Sequence, residues 1–117
     1  MIRWKTVRED RTSCYSPLGY ARKYLVGKTV KAKKGTLGLM CFETHTDAAI
    51  FAFVHNLKVI KVRTKSRGKR PKHIAPGGFT LRYKANFDAF YRAPRRSMEL
   101  RHPPSGTICY QSVEVLT

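Results

Sequence analysis

The sequence predicts an α+β domain, a small and largely antiparallel sheet of about six strands with one main helix at residues 46–55. Several short segments alternate apolar and polar residues, as strands do when one face is covered and the other meets water. The segment over residues 44–55 combines a residue that can cap a helix with apolar residues at helical spacing. The 117 residues, 42% of them apolar, suffice for one core, so we expect a single domain over 1–117.

The predicted strands are short and are bounded by turn residues. They cover residues 2–8, 29–32, 37–42, 57–65, 79–84 and 107–116. In the first strand, Ile2 and Trp4 are expected to face the core while Arg3 and Lys5 face solvent, because successive strand residues point to opposite sides. The strand–helix–strand unit over residues 37–65 has the clearest pattern.

The predicted helix has a start and a stop signal in the sequence. Thr44 can cap its first turn, and Asp47 places a negative charge near the positive end of the helix. Asn56 is suited to the left-handed conformation in which many helices end. The side chains predicted to share the core-facing side of the helix are Ala49, Ile50, Phe53 and Val54.

The charge is the strongest functional signal. The chain carries 24 Lys and Arg against 7 Asp and Glu, a net charge of +17. Such an excess repels itself in a folded chain and commonly persists where a counter-charged partner offsets it. Nucleic acid is the commonest partner of this kind, and RNA and DNA both fit. The composition therefore predicts binding to nucleic acid or another polyanion.

A basic row lies on the strand predicted over residues 57–65. Alternation places Lys61, Arg63 and Lys65 on one face, about 7 Å apart, which is similar to the spacing of phosphates on an extended strand. The row continues into a loop with further cations at Arg67, Lys69, Arg70 and Lys72. The alternative is an edge strand whose lysines prevent aggregation, but one or two charges suffice for that purpose. We therefore expect these residues to bind phosphates.

A second basic cluster precedes the last predicted strand. Its main candidates for anion binding are Arg95 and Arg96, because guanidinium groups contact phosphates with two parallel hydrogen bonds. Aromatic residues beside cations can stack on unpaired bases, and the candidates for stacking are Tyr15, Tyr20 and Tyr91. Trp4 and Phe53 are assigned to the core instead.

The sequence predicts neither catalysis, nor a metal, nor a cofactor. Paired carboxylates for a two-metal nuclease are not evident, since Glu9 and Asp10 are the best candidates and Asp47 is explained as a helix cap. No CxxC or HxxxH spacing occurs, and a metal-free ribonuclease using His73 and His102 is a minor alternative. The three cysteines, Cys14, Cys41 and Cys109, are odd in number and widely spaced, which favours a reducing compartment over disulfides. Without a signal peptide or a membrane-spanning run, a cytoplasmic protein with no membrane partner is expected.

The expected function is therefore non-catalytic binding of nucleic acid through a basic strand face and loop. One alternative is sequestration of a small anionic ligand of nucleotide type, held by Arg and aromatic side chains in a closed pocket. Another is inhibition of an acidic or nucleic-acid-binding partner protein. The small size and high charge would suit a viral or phage accessory protein. The sequence leaves the oligomeric state open.

Overall fold

The computed structural model describes residues 1–13, 21–33, 38–71 and 103–117. Over these ranges the chain forms an α+β fold with one antiparallel sheet of six strands and one helix, as the patterning predicts. The elements are β1 (Ile2–Val7), β2 (Thr29–Lys31), β3 (Leu39–Phe42), α1 (His45–His55), β4 (Lys58–Arg63), β5 (Thr107–Tyr110) and β6 (Ser112–Val115). The strand predicted at 79–84 lies outside the described residues.

The order of strands in the sheet is β2-β6-β4-β1-β3-β5. Strand β1 pairs with β4 over its whole length, from Ile2 opposite Arg63 to Val7 opposite Lys58, and its other edge pairs with β3. Because β3 and β4 are both antiparallel to β1, they are parallel to each other. Helix α1 is therefore the crossover that connects two parallel strands with β1 between them.

The sheet curls so that its two ends approach each other. Strand β5 is at one end of the order and β6 is four positions away, yet only Gln111 separates them in the chain. A flat sheet would hold these strands about 19 Å apart, whereas the two peptide units from Tyr110 to Ser112 span at most about 8 Å. One continuous run, predicted as a single strand over 107–116, therefore pairs with β3 by its first half and with β4 and β2 by its second.

The concave face of the curled sheet encloses the core. Registered partners project from the same face, and this face carries the buried side chains Val7, Leu39, Cys41, Ile60, Val62, Ile108, Tyr110, Val113 and Val115, with Val30 and Tyr24 packed among them. Arg3 and Lys5 project to the same side, and Lys5 is only 7% exposed. The prediction that they face solvent is wrong, because both faces of β1 are covered along most of the strand. The expectation that Ile2 faces the core is wrong as well, since Ile2 is 36% exposed on the outer face.

Helix α1 covers the outer face of the sheet over β1, β3 and β4. Its ends match the prediction: the Thr44 hydroxyl accepts a hydrogen bond from the Asp47 amide at 3.2 Å, and Asn56 is left-handed at φ 54°. Trp4 lies half-buried beneath the helix, with its ring 5.9 Å from that of His45. Within the described residues, no helix is long and apolar enough to cross a membrane.

The predicted core-facing side of the helix is wrong. The residues buried against the sheet are Ala48 and Ala52, whereas Phe53 is 89% exposed. The large rings of Trp4 and Phe42 already fill the outer face of the sheet, so the helix approaches with its small residues. Ile50, Phe53 and Val54 consequently point away from the protein, whereas Phe51 is half-buried with its ring 5.5 Å from that of Phe42.

Candidate nucleic-acid interface

The cations of β4 alternate with buried residues, as the row hypothesis requires. Lys61, Arg63 and Lys65 are exposed, while the residues between them, Val62 and Thr64, are 0% and 2% exposed. The inward residues fix the register of the strand, because a slip by one position would bury the charges and expose the core. The row is therefore held outward by the packing of the other face.

The position of β4 in the sheet excludes the alternative explanation of this charge. Strand β4 is hydrogen-bonded on both sides, to β1 along its length and to β6 through Val62 opposite Val115 and Arg63 opposite Glu114. Lysines that prevent aggregation act on unpaired strand edges. An interior strand has no such edge, so edge protection does not account for the cations of β4.

Neighbouring strands add to the same face. The register of Thr29 opposite Glu114 places Lys31, two residues along β2, on the face that carries Arg63. We call this surface the basic sheet face; it consists of Lys31, Lys61 and Arg63, with Lys65 at its end. Lys31 is not among the predicted site residues, although the alternation of Thr29 and Lys31 around the buried Val30 is a usable signal for it.

One acidic residue interrupts this face. Arg63 Nη1 lies 3.1 Å from Glu114 Oε1, and both side chains remain about half exposed at 53% and 41%. No carboxylate among the described residues forms an ion pair with Lys31, Lys61 or Lys65. The face therefore offers three unpaired ammonium groups beside one guanidinium that already has a carboxylate partner.

The loop cations Arg67, Lys69 and Arg70 do not extend the row in a straight line. The Lys69 amide donates to the Cys109 carbonyl at 2.9 Å, and the Cys109 amide donates back at 2.8 Å, which attaches this segment to the edge of β5. A side chain on Gly68 would lie 2.4 Å from Ile108, so the contact is close. This part of the loop is thus held to the sheet rather than free to wrap around a ligand.

Arg70, which follows the segment attached to β5, forms a salt bridge with an acidic side chain. Its guanidinium lies 2.5 Å from Glu43 Oε2, just beyond the end of β3. The hydrogen bond from Arg70, followed by its charge, lowers the pKa of the Glu43 carboxyl below its ordinary value. Arg67 and Lys69 are exposed nearby in the chain. The predicted site is therefore divided into a sheet group and an edge group.

The remaining predicted site residues fall outside the described residues. These are the cations Lys72, Arg95 and Arg96, the stacking candidates Tyr15, Tyr20 and Tyr91, and the histidines His73 and His102.

The concave side holds a polar cluster that the sequence analysis did not foresee. Arg3 Nε donates to the Tyr110 hydroxyl at 2.8 Å, and Lys5 Nζ donates to the Met40 carbonyl at 2.7 Å. The same ammonium lies 4.9 Å from the centre of the Tyr24 ring, a cation–π contact. The Tyr24 hydroxyl is buried without a hydrogen-bond partner. The alternation of β1 is the sequence signal for this cluster, but alternation does not indicate that both sides of a strand are covered.

Across the described ranges, no three His, Cys, Asp or Glu side chains come together as metal ligands. Comparison with known proteins found no match among family models, curated proteins or solved structures.

Proposed function

We propose that this protein binds nucleic acid without catalysing a reaction, through the basic sheet face. The observation that carries this proposal is the solvent-exposed row of Lys61, Arg63 and Lys65 leading off an interior strand. Cations about 7 Å apart can contact successive phosphates of one strand. The net charge of +17 adds long-range attraction for a polyanion.

Backbone contacts of this kind carry little sequence information. Lysine ammonium groups act as point charges toward phosphates, and base recognition needs side chains that reach base edges. Three of the four residues of the basic sheet face are lysines, and its arginine, Arg63, already has a carboxylate partner in Glu114. We therefore propose binding with broad sequence tolerance, to RNA or DNA.

We also propose that the protein works in the cytoplasm. Cys41 and Cys109 are both free thiols buried in the structure. Proteins of reducing compartments retain thiols of this kind, which supports an intracellular location.

The test is fluorescence anisotropy with a labelled single-stranded oligonucleotide of mixed sequence, measured at several salt concentrations. The variant Lys61→Ala/Lys65→Ala is compared with Arg8→Ala/Lys23→Ala, which removes the same charge near the opposite end of the β1–β4 ladder. We expect the first variant to bind more weakly and to reduce the slope of log affinity against log salt by about 1 per lysine. The control should change the slope much less.

Equal losses in the two variants would mean that net charge alone drives binding and that the basic sheet face is not a site. Unchanged oligonucleotide binding in both double variants would show that the row of Lys61, Arg63 and Lys65 is not the binding site. Absence of binding to any oligonucleotide at low salt would reject the function.

A second candidate function is sequestration of a small anion, and the Tyr24 hydroxyl is the observation that favours it. A buried hydroxyl without a partner costs about 1–3 kcal/mol, and a ligand oxygen beside the Lys5 ammonium would satisfy it. Calorimetric titration with inorganic phosphate and a nucleoside monophosphate tests this idea. Binding with a shallow salt slope that Tyr24→Phe abolishes would support the candidate, whereas binding unaffected by Tyr24→Phe would exclude Tyr24 as its site.

A further inference from the structure

The outward side of α1 is an apolar stripe. Phe53 is 89% exposed, Val54 is 68% exposed and Ile50 is 60% exposed. Their spacing of three and four residues places them on one side of the helix, opposite the buried Ala48 and Ala52. Scattered apolar residues are normal on surfaces, but a continuous stripe marks a contact surface.

The same stripe lies in the part of the chain that has no cations. All 24 Lys and Arg residues fall outside residues 38–57. Two copies of a protein with a charge of +17 repel each other over most of their surfaces. An approach through α1 places no Lys or Arg of residues 38–57 in the contact, and an identical, equally charged chain is the partner for which this matters most.

We propose that a second copy of this chain docks on the apolar stripe, so that two α1 helices pack against each other about a twofold axis. The helices run antiparallel in this dimer. Asp47 in the first turn of each helix then lies toward His55 and Lys58 at the end of the other, and the helix dipoles oppose each other favourably. A parallel pair would instead bring Lys58 against its own copy.

The antiparallel arrangement determines where the binding surfaces go. The basic sheet face lies beside α1 on the outer face of the sheet, displaced across the strands toward β6 and β2. A twofold axis perpendicular to antiparallel helices leaves both displaced surfaces on the same side of the pair. Because each basic face shares the outer side of its sheet with α1, the two faces would look toward the helix pair and line one groove beside it. This consequence rests on the proposed function, although the dimer itself does not.

We expect reversible association. An 11-residue helix is about 16 Å long, so a contact limited to its face is smaller than a standard protein–protein interface. Because salt screens the repulsion between the two copies, dimerisation should strengthen as salt concentration rises. Nucleic-acid binding should weaken over the same range, so failure of one proposal is distinguishable from failure of the other.

Sedimentation equilibrium of the nucleic-acid-free full chain tests the dimer, over a range of protein concentration and salt. We expect a monomer–dimer equilibrium that Phe53→Asp shifts to monomer at every concentration. The matched control is Val26→Asp, which places the same charge at another exposed apolar position, 60% exposed in a turn. A wild-type monomer under all conditions, or a dimer that Phe53→Asp leaves intact, would overturn the proposal.

Spin labels at Thr46 test the orientation, using Thr46→Cys in a chain that also carries Cys14→Ser. With the dyad near the middle of the stripe, antiparallel helices hold the two labelled backbones roughly 18 Å apart along the helix axis, and parallel helices hold them side by side at roughly 10 Å. Distances measured by electron paramagnetic resonance should give the longer value. The shorter value would overturn the antiparallel arrangement.

Discussion

Arg63 lies in the middle of the basic sheet face and is at the same time neutralised there. Its partner Glu114 belongs to β6, directly opposite on the neighbouring strand. Both side chains are about half exposed, so the pair contributes little to stability. Its larger effect is on the field that a phosphate would meet at this surface, where one carboxylate offsets one cation.

Glu114→Gln is therefore expected to tighten oligonucleotide binding while lowering the free energy of unfolding by less than about 1 kcal/mol. The substitution removes a negative charge and frees the Arg63 guanidinium for phosphate. Anisotropy titration and urea denaturation measure the two effects. Glu9→Gln makes the same charge change at an exposed residue after β1, near the end of the ladder away from Arg63. An equal gain in this control would assign the effect to net charge.

The buried thiols should make stability depend on alkaline pH. Burial raises the pKa of Cys41 to about 11, and burial together with the nearby Cys41 raises that of Cys109 to about 12. In the unfolded chain both titrate near their ordinary value of about 8.5. The contribution of the two protonated thiols to the free energy of unfolding is thus fully present below about pH 8.5 and is lost as pH rises through about 11.

Urea denaturation between pH 7 and pH 10 measures this decline in the free energy of unfolding. The variant Cys41→Ala/Cys109→Ala should decline less steeply than the wild type. Labelling at pH 8 with peptide mapping adds a direct check, since both thiols should stay unmodified until the protein unfolds. Rapid modification of either thiol in the native protein would contradict the burial that raises these pKa values.

Single residues show where sequence reasoning succeeds. The exposure of Lys61 and Arg63 follows from alternation with Ile60 and Val62, because a half-buried strand has only two faces. The burial of Lys5 does not follow, since alternation in β1 places one set of side chains on each side without indicating which side is covered. Both sides of β1 are covered, and that information resides in elements distant in the sequence.

At the scale of elements, the close approach of β3 to β5 depends on a glycine. Gly38 has φ 114°, and a side chain there would come 2.5 Å from the Tyr110 carbonyl oxygen on the paired strand. Gly38→Ala should lower the free energy of unfolding by at least about 3 kcal/mol, through strain and backbone overlap together. Thermal and urea denaturation measure this loss.

Gly27→Ala is the matched control for Gly38→Ala. Gly27 also has a positive φ, 81°, but a side chain there would meet nothing within 4 Å. Its cost is the left-handed conformation alone, about 1–2 kcal/mol. If the two variants lost stability equally, close approach to β5 would not be the reason for Gly38.

Local chemistry determines where helix α1 begins and ends, but it does not determine which face of the helix is buried. Thr44 and Asn56 define its ends through hydrogen bonding and backbone conformation that involve only near neighbours. The face that it buries depends on Trp4 and Phe42, whose rings occupy the sheet beneath, so that Ala48 and Ala52 become the buried residues. Apolar spacing thus predicted the helix correctly and its orientation incorrectly.

At the scale of the whole molecule, the charge acts on folding as well as on binding. Repulsion among the cations of a chain at +17 lowers its stability, and salt reduces that repulsion. The midpoint of thermal unfolding should therefore rise by several degrees between low salt and about 0.15 M salt. Differential scanning calorimetry checks this, with sucrose at matched osmolality as an uncharged control. A midpoint that falls with salt would show that attractive pairs such as Arg63–Glu114 dominate instead.

The fold class is predictable at this scale, whereas the curvature of the sheet is not. Periodicity distinguishes strands from helix, and the count of alternating segments predicts a small antiparallel sheet. The pairing of residues 107–115 with three separate strands depends on which edges the earlier elements leave open. The composition of the candidate site is unpredictable for the same reason. Lys31 of β2 lies on the same face as Arg63 of β4 only because β6 pairs with both strands.

The run that closes the sheet also has a consequence for biosynthesis. Residues 107–115 supply the partner of the outer edge of β3 and of the outer edge of β4 at once. While the ribosome is still translating the residues before them, β1, β3 and β4 can form only an open three-stranded layer with both edges unpaired. Unpaired edges recruit other chains. The nascent protein should therefore be most prone to aggregate, and most dependent on chaperones, during the interval between synthesis of residue 63 and emergence of residue 115.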